Sequence, residues 1–245
     1  MPNHFACHYS LNGSWLKMIA ILSMFIDHIG KYLLICSDSY NEPILTLFGT
    51  SVSAYSLTRT IGRLAFPIFC FLLIEGFIHT RNRRKYGLNL LAFAIISEIP
   101  WLLLHSGNWP FKSHNVMFTL LFGFLGMLAW EKYKSNIAKQ AMAIISLFVL
   151  AYIFKADYSW KGFAFIMMLY LLRERSKMPV AAIAGTGLLA KSPLLTTGVL
   201  TAFIPISLYN GERGFIKGNY AKYLFYVFYP SHLLLIYLIK YWWMN

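Results

Sequence analysis

Apolar residues fall into nine runs separated by short polar connections. The first, Trp15 to Cys36, is as long as the roughly 20 residues a helix needs to cross the hydrocarbon of a bilayer. Further runs follow at about 61–79, 88–105, 116–130, 141–154, 163–172, 180–190, 194–208 and 223–243. The pattern predicts an all-α fold: a single-domain polytopic membrane helix bundle over residues 1–245, with about nine transmembrane helices. Runs 163–172 and 180–190 hold only about ten apolar residues each, short of the usual minimum of about 17. They are read as crossing, re-entrant or short tilted helices, which sets the range at seven to ten.

The connections fix an orientation. Under alternation, the segments at 80–87, 131–140, 173–179 and 209–222 share one side and hold thirteen Lys and Arg residues. The opposing segments hold mainly Arg59, Lys112, Lys155, Lys161 and Lys191. Basic connections stay in the cytoplasm, so the N-terminus is expected inside and the C-terminus outside, in a multi-pass protein of the bacterial cytoplasmic membrane. Composition agrees: 58% of residues are hydrophobic and 13% charged, against about 25% charged in soluble domains. The net charge of +13 is accounted for by these connections and does not point to nucleic acid. Cys7, Cys36 and Cys70 are scattered, with neither a disulfide framework nor a metal spacing. No small-residue cleavage site follows the first run, which is expected to be retained. Tyr241, Trp242 and Trp243 suit an aromatic belt at the last interface.

Several residues do not belong in lipid. Asp27 and His28 sit side by side in the first run, and Arg63, Glu75, His79, Glu98 and His232 lie within or beside later ones. An ionisable group at mid-membrane costs about 2.5–3.5 kcal/mol even on the lenient insertion scale, so such groups face a bundle interior or a watery cavity. Asp27 and Lys31 stand at i, i+4 and can pair on one helix face, which leaves His28, about 100° around the helix, unexplained. Pro67, Pro205 and Pro230 each remove a helical hydrogen bond, freeing the carbonyls of Arg63, Thr201 and Tyr226. The last places Tyr229, Ser231 and His232 beside a kink.

The stretches MFIDHIGK, IGRLAFPIFCFLLIEGFIHTRNRRKY, LLAFAIISEIP, NVMFTL, YNGERG and KYLFYVFYPSHLLLIYLI occur in order over most of the chain. Together they resemble the TraX family. Asp157-Tyr158 followed by Gly162 also looks like a family feature, although the family more often has glycine where this chain has Ser159. The family's named member is the acetylase that caps the N-terminal amine of F-type pilin, and the family is thought to be related to integral-membrane acyltransferases that use acyl-CoA. The resemblance therefore implies acetyl-CoA-dependent acetylation at the membrane, of a peptide or small-molecule acceptor.

Acetyl transfer needs a base for the acceptor's proton, stabilisation of the oxyanion and exclusion of water. His28 is the expected base, with Glu98 or His232 as its partner from another span. Asp27 is expected to pair with Arg63 or Lys31, and Arg63 is an alternative oxyanion donor. Arg81, Arg83, Arg84, Lys85, Arg213 and Lys217 are the candidate contacts for the coenzyme's phosphates. Glu75, Asn115, Asp157, Tyr158 and Tyr229 are the candidate acceptor contacts. No metal is expected. The rival reading is a proton-coupled transporter, which also uses intramembrane Asp, Glu and His with kinked helices.

Overall fold

The computed structural model describes residues 10–36, 38–47, 50–105, 113–189, 192–216 and 218–244. Lys217, Lys112, Lys191 and Cys7 lie outside them. The chain is built of helices: α1 (Gly13–Tyr32), α2 (Asp38–Asn41), α3 (Ala54–Gly62), α4 (Ala65–His79), α5 (Arg83–Leu104), α6 (Val116–Lys132), α7 (Ile137–Phe154), α8 (Ser159–Leu171), α9 (Met178–Leu189), α10 (Pro193–Thr201), α11 (Phe203–Ser207) and α12 (Asn219–Met244). A departure from the all-helical expectation is a small antiparallel hairpin between α2 and α3, β1 (Leu45–Leu47) with β2 (Thr50–Val52).

Among the described residues, four helical stretches are long and apolar enough to cross a membrane: Ala54–His79, Arg83–Leu104, Ile137–Phe154 and Tyr223–Trp242. α1 has the length, but Lys17, Asp27, His28 and Lys31 interrupt its apolar character. The apolar surface confirms a membrane protein. On α7, Ile137, Met142, Ile145 and Ile153 are exposed, and water does not tolerate a patch of that kind. The two short runs form helices of 13 and 12 residues, α8 and α9.

Proline sets the breaks where the sequence places them. The α3–α4 interruption falls at Arg63 and Leu64, four and three residues before Pro67, whose missing N–H leaves the Arg63 carbonyl free. The α10–α11 interruption falls at Ala202, beside Thr201, whose carbonyl Pro205 leaves free. Pro230 and Pro100 are instead absorbed within continuous helices.

The bundle has two ends of different character. At one, Leu11 bridges Tyr209 and the Gly13 amide donates to Glu212 O at 2.7 Å. Ser14 Oγ donates to Arg213 O (3.1 Å) and accepts from the Ile216 amide (2.8 Å). Tyr209 donates its hydroxyl to Glu75, Tyr170 donates to Glu131, and Arg175 donates to Ser207 O at 3.1 Å. Burial and the Glu75 carboxylate push the Tyr209 hydroxyl above its usual range. The described parts of all four basic connections gather here. At the other end lie the last turn of α1, the break between α3 and α4, the C-terminus of α5, the N-terminus of α6 and the α7–α8 connection. Helices α1, α5 and α12 run parallel towards it: Phe93 stacks on Tyr226 (centroids 4.9 Å), and Lys17 lies over Phe225 at 5.6 Å.

Candidate active site

The polar residues of the spans converge at this second end. α1 stops at Tyr32, so Asp27 and His28 lie in its last turns and not at its middle. From Gly13 to His28 is about 22 Å along the helix, at 1.5 Å per residue.

His28 and His232 face each other across α1 and α12. His28 Nδ1 lies 2.6 Å from His232 Nε2, the rings are nearly parallel at 5°, and exposures are 8% and 3%. The second bond fixes the tautomers. His232 Nδ1 lies 2.8 Å from Phe228 O, a carbonyl that only accepts. His232 therefore carries its proton on Nδ1 and accepts through Nε2, and His28 donates from Nδ1. What remains on His28 is a lone pair at Nε2. The arrangement is that of a base oriented by a second group through its other ring nitrogen. Tyr229, adjacent on α12, is buried with its ring 5.6 Å from His232.

Of the two partners expected for His28, Glu98 is engaged elsewhere. One of its oxygens accepts from His114 Nδ1 at 2.7 Å and the other from Asn115 Nδ2 at 2.5 Å. Fully buried Asn115 also donates to Ala94 O (2.8 Å) and caps α6 by accepting from the Met117 amide at 3.0 Å. Glu98 thus ties α5 to the start of α6.

Asp27 pairs with neither Arg63 nor Lys31. Its partner is Arg59 on α3, at 2.7 Å, because Gly62 brings the α3–α4 break directly against the Asp27 side chain. Arg63 donates instead to the Tyr158 hydroxyl at 3.2 Å, and its own Nε is buried with no partner among the described residues. Lys31 donates to His105 Nε2 at 3.3 Å, and His105 is oriented by Trp101 O, 2.8 Å from its Nδ1.

The α7–α8 connection is held in an unusual backbone. Lys155, Tyr158 and Ser159 have φ of 52°, 64° and 45°, the left-handed region that costs a non-glycine residue about 1–3 kcal/mol. Glycine would adopt that conformation without strain. The connection is pinned on both sides. The Asp157 amide donates to His114 O at 2.8 Å, Thr119 donates to Asp157 O, and Tyr158 stacks on Phe66 at 3.8 Å. Asp157 thereby acts electrostatically on Lys31, Arg63, His105 and Tyr229.

The structure brings together His28, His232, Asp27, Arg63, Glu98, Asn115, Asp157, Tyr158 and Tyr229. Glu75, Arg81, Arg83, Arg84, Lys85 and Arg213 are at the opposite, basic end. There Arg83 lies 4.1 Å over the Phe77 ring, and Arg213 lines a cleft with Asn12, Glu212, Gly214 and Phe215. Arg59, His105 and His114 join the site without having been singled out in the sequence. Arg59 stands four residues before Arg63, a helical spacing that places both on one face; the other two border the apolar runs. Among the described residues no group of three His, Cys, Asp or Glu side chains is placed to hold a metal ion.

A family model described as TraX protein matches residues 12–240. The chain is similar to a Dichelobacter nodosus protein described as a probable fimbrial assembly protein, FimC of serogroup H1. The two are 31% identical over 247 residues, covering 90% of this chain and 92% of the relative. A shorter similarity, 29% over 108 residues, covers 44% of this chain and 33% of the uncharacterized protein RP591 of Rickettsia prowazekii (strain Madrid E). No solved structure matches the chain.

Proposed function

Because the chain belongs to the TraX family, we propose that it is an integral-membrane acyltransferase moving an acetyl group from acetyl-CoA to an amine, the N-terminus of a peptide. The observation that carries this reading is the His28–His232 pair. His28 takes the acceptor's proton at Nε2, and the resulting imidazolium is stabilised through Nδ1–H by neutral His232. The same Nε2–H then returns its proton to the departing thiolate, so the histidine ends as it began. The thioester supplies an activated acyl carbon; this chain supplies the base, its orientation and a site walled by apolar helices.

Arg63, with a buried Nε donor that no described residue takes, is suited to a negatively charged oxygen of the bound substrates. Arg81, Arg83, Arg84, Lys85 and Arg213 are the residues that would hold the coenzyme's phosphates. Arg213 packs against Gly13, which lies about 22 Å from His28 along α1, so the charged part of the donor would rest at the basic end. The fimbrial description of the Dichelobacter nodosus relative fits a pilin-like acceptor. On this reading the basic end faces the cytoplasm and α1 begins there, with nine helical segments crossing.

Titration of the purified protein with acetyl-CoA tests the proposal. Saturable binding, with transfer to an amine-bearing peptide lost in His28→Gln, is the expected result. No binding, together with proton-linked solute uptake by the reconstituted protein, would replace the enzyme with a carrier.

A further inference from the structure

Three cations reach the site from the end of the bundle opposite the basic connections, where orientation by positive charge gives no reason for them. Arg59 is spent on Asp27 at 2.7 Å. Lys31 and Arg63 are not so paired: among the described residues, neither has a carboxylate oxygen within 4.0 Å. Lys31 Nζ is held at 3.3 Å from His105 Nε2 and lies 4.8 Å from the Tyr32 ring centre and 5.4 Å from that of Trp101. Arg63 gives Nη1 to Tyr158 and keeps a buried Nε that no described residue accepts from. Asp157 acts on both cations from the α7–α8 connection.

We infer that Lys31 and Arg63 form a binding site for an anionic group, a carboxylate or a phosphate, carried by a molecule that enters the histidine site. Lys31 follows His28 by three residues and so lies one turn away on nearly the same face of α1. An anion held there sits beside the reacting nitrogen. The rings of Tyr32 and Trp101 and the bond it donates to His105 hold the ammonium in place, while Arg63 adds a donor pre-set by Tyr158. Fixed donors of this kind favour an anion because little ordering remains to be done on binding. The inference rests on the proposed acetyl transfer only in treating the anion as part of a substrate; anion binding itself needs no turnover.

The test is titration of the full-length protein in detergent with sodium acetate and with inorganic phosphate, read as a thermal-unfolding shift. Wild-type protein should show saturable stabilisation by at least one of the two anions. The apparent affinity should fall at least tenfold in Lys31→Gln and in Arg63→Gln, and stay unchanged in Lys139→Gln at the opposite end. Lys31→Arg keeps the charge and should retain binding, which covers the case in which Lys31→Gln does not fold. Competition with coenzyme A then separates the sources. Displacement that depends on Lys31 assigns the anion to the coenzyme, and binding without displacement assigns it to the acceptor. Wild-type protein that binds neither anion saturably, or Gln variants that bind as wild type does, would overturn the site while leaving acetyl transfer untouched.

Discussion

Asp27 is bonded across the α1–α3 interface to Arg59 at 2.7 Å, and not to Lys31 one turn along its own helix. Both side chains are largely buried, 14% exposed for Arg59 and 17% for Asp27. Removing one partner from such a pair strands the other's charge, at about 3–5 kcal/mol. Asp27→Asn and Arg59→Met are each expected to lower the thermal midpoint, and the double variant to recover part of the loss. Singles that unfold like wild type yet fail in transfer would move Asp27 from scaffold to chemistry.

The histidine tautomers give the two rings unequal roles. His28→Gln removes the proton acceptor and is expected to cost about 10²–10⁴ in transfer rate. His232→Gln removes only the orienting group and is expected to cost less than His28→Gln. Transfer rates measured at saturating acetyl-CoA decide it, and the reverse order would place the base on α12.

Gly198 lets α10 lie directly against the carbonyl of Thr60 and the Arg63 side chain. A methyl group has no room there, and the obstacle is backbone. Gly198→Ala should destabilise by about 1–3 kcal/mol, the range for overpacking, with lower folded yield on size exclusion. An unchanged midpoint would show that α10 does not seat on the α3–α4 break.

Ser159, at φ 45°, is expected to prefer replacement by glycine. Relief of the left-handed backbone is worth about 1–2 kcal/mol, set against a long bond of 3.3 Å from its hydroxyl to Ala151 O. Thermal unfolding of Ser159→Gly should shift upward, and a downward shift would mean that the hydroxyl outweighs the strain.

Single cysteines test the orientation. In a background lacking the three native ones, Lys155→Cys should react with an impermeant maleimide on intact cells, and Asn82→Cys only after lysis. Labelling of Asn82→Cys from outside would invert the bundle.

Hydropathy and proline together made the architecture legible. Pro67 and Pro205 freed the carbonyls of Arg63 and Thr201, and the helices break at or beside those residues. His28 and His232 were legible for a related reason, since neither has a packing purpose in lipid. Pairing was legible only in part. Glu98, a candidate partner for His28, is taken by His114 and Asn115, contacts made between the ends of different helices. Arg59 was hidden because the apolar pattern begins at Ile61, whereas α3 begins at Ala54, held by a capping box on Ser53. Helical spacing identifies which side chains share a face, but not which other helix that face meets.

The parallel course of α1 and α12 makes the histidine bond a gauge of register between two helices. A hydrogen bond tolerates about half an ångström of lengthening beyond 2.6 Å, whereas a slide of one residue is about 1.5 Å. Pro230, two residues before His232, weakens α12 at that point by leaving the Tyr226 carbonyl without its helical partner. Helices accommodate a thicker or thinner bilayer by tilting and kinking, and on the proposed function a change of that kind would reach His28 through this bond. Reconstituted into lipids of graded acyl-chain length, the protein should turn over fastest at one thickness and lose activity on either side of it.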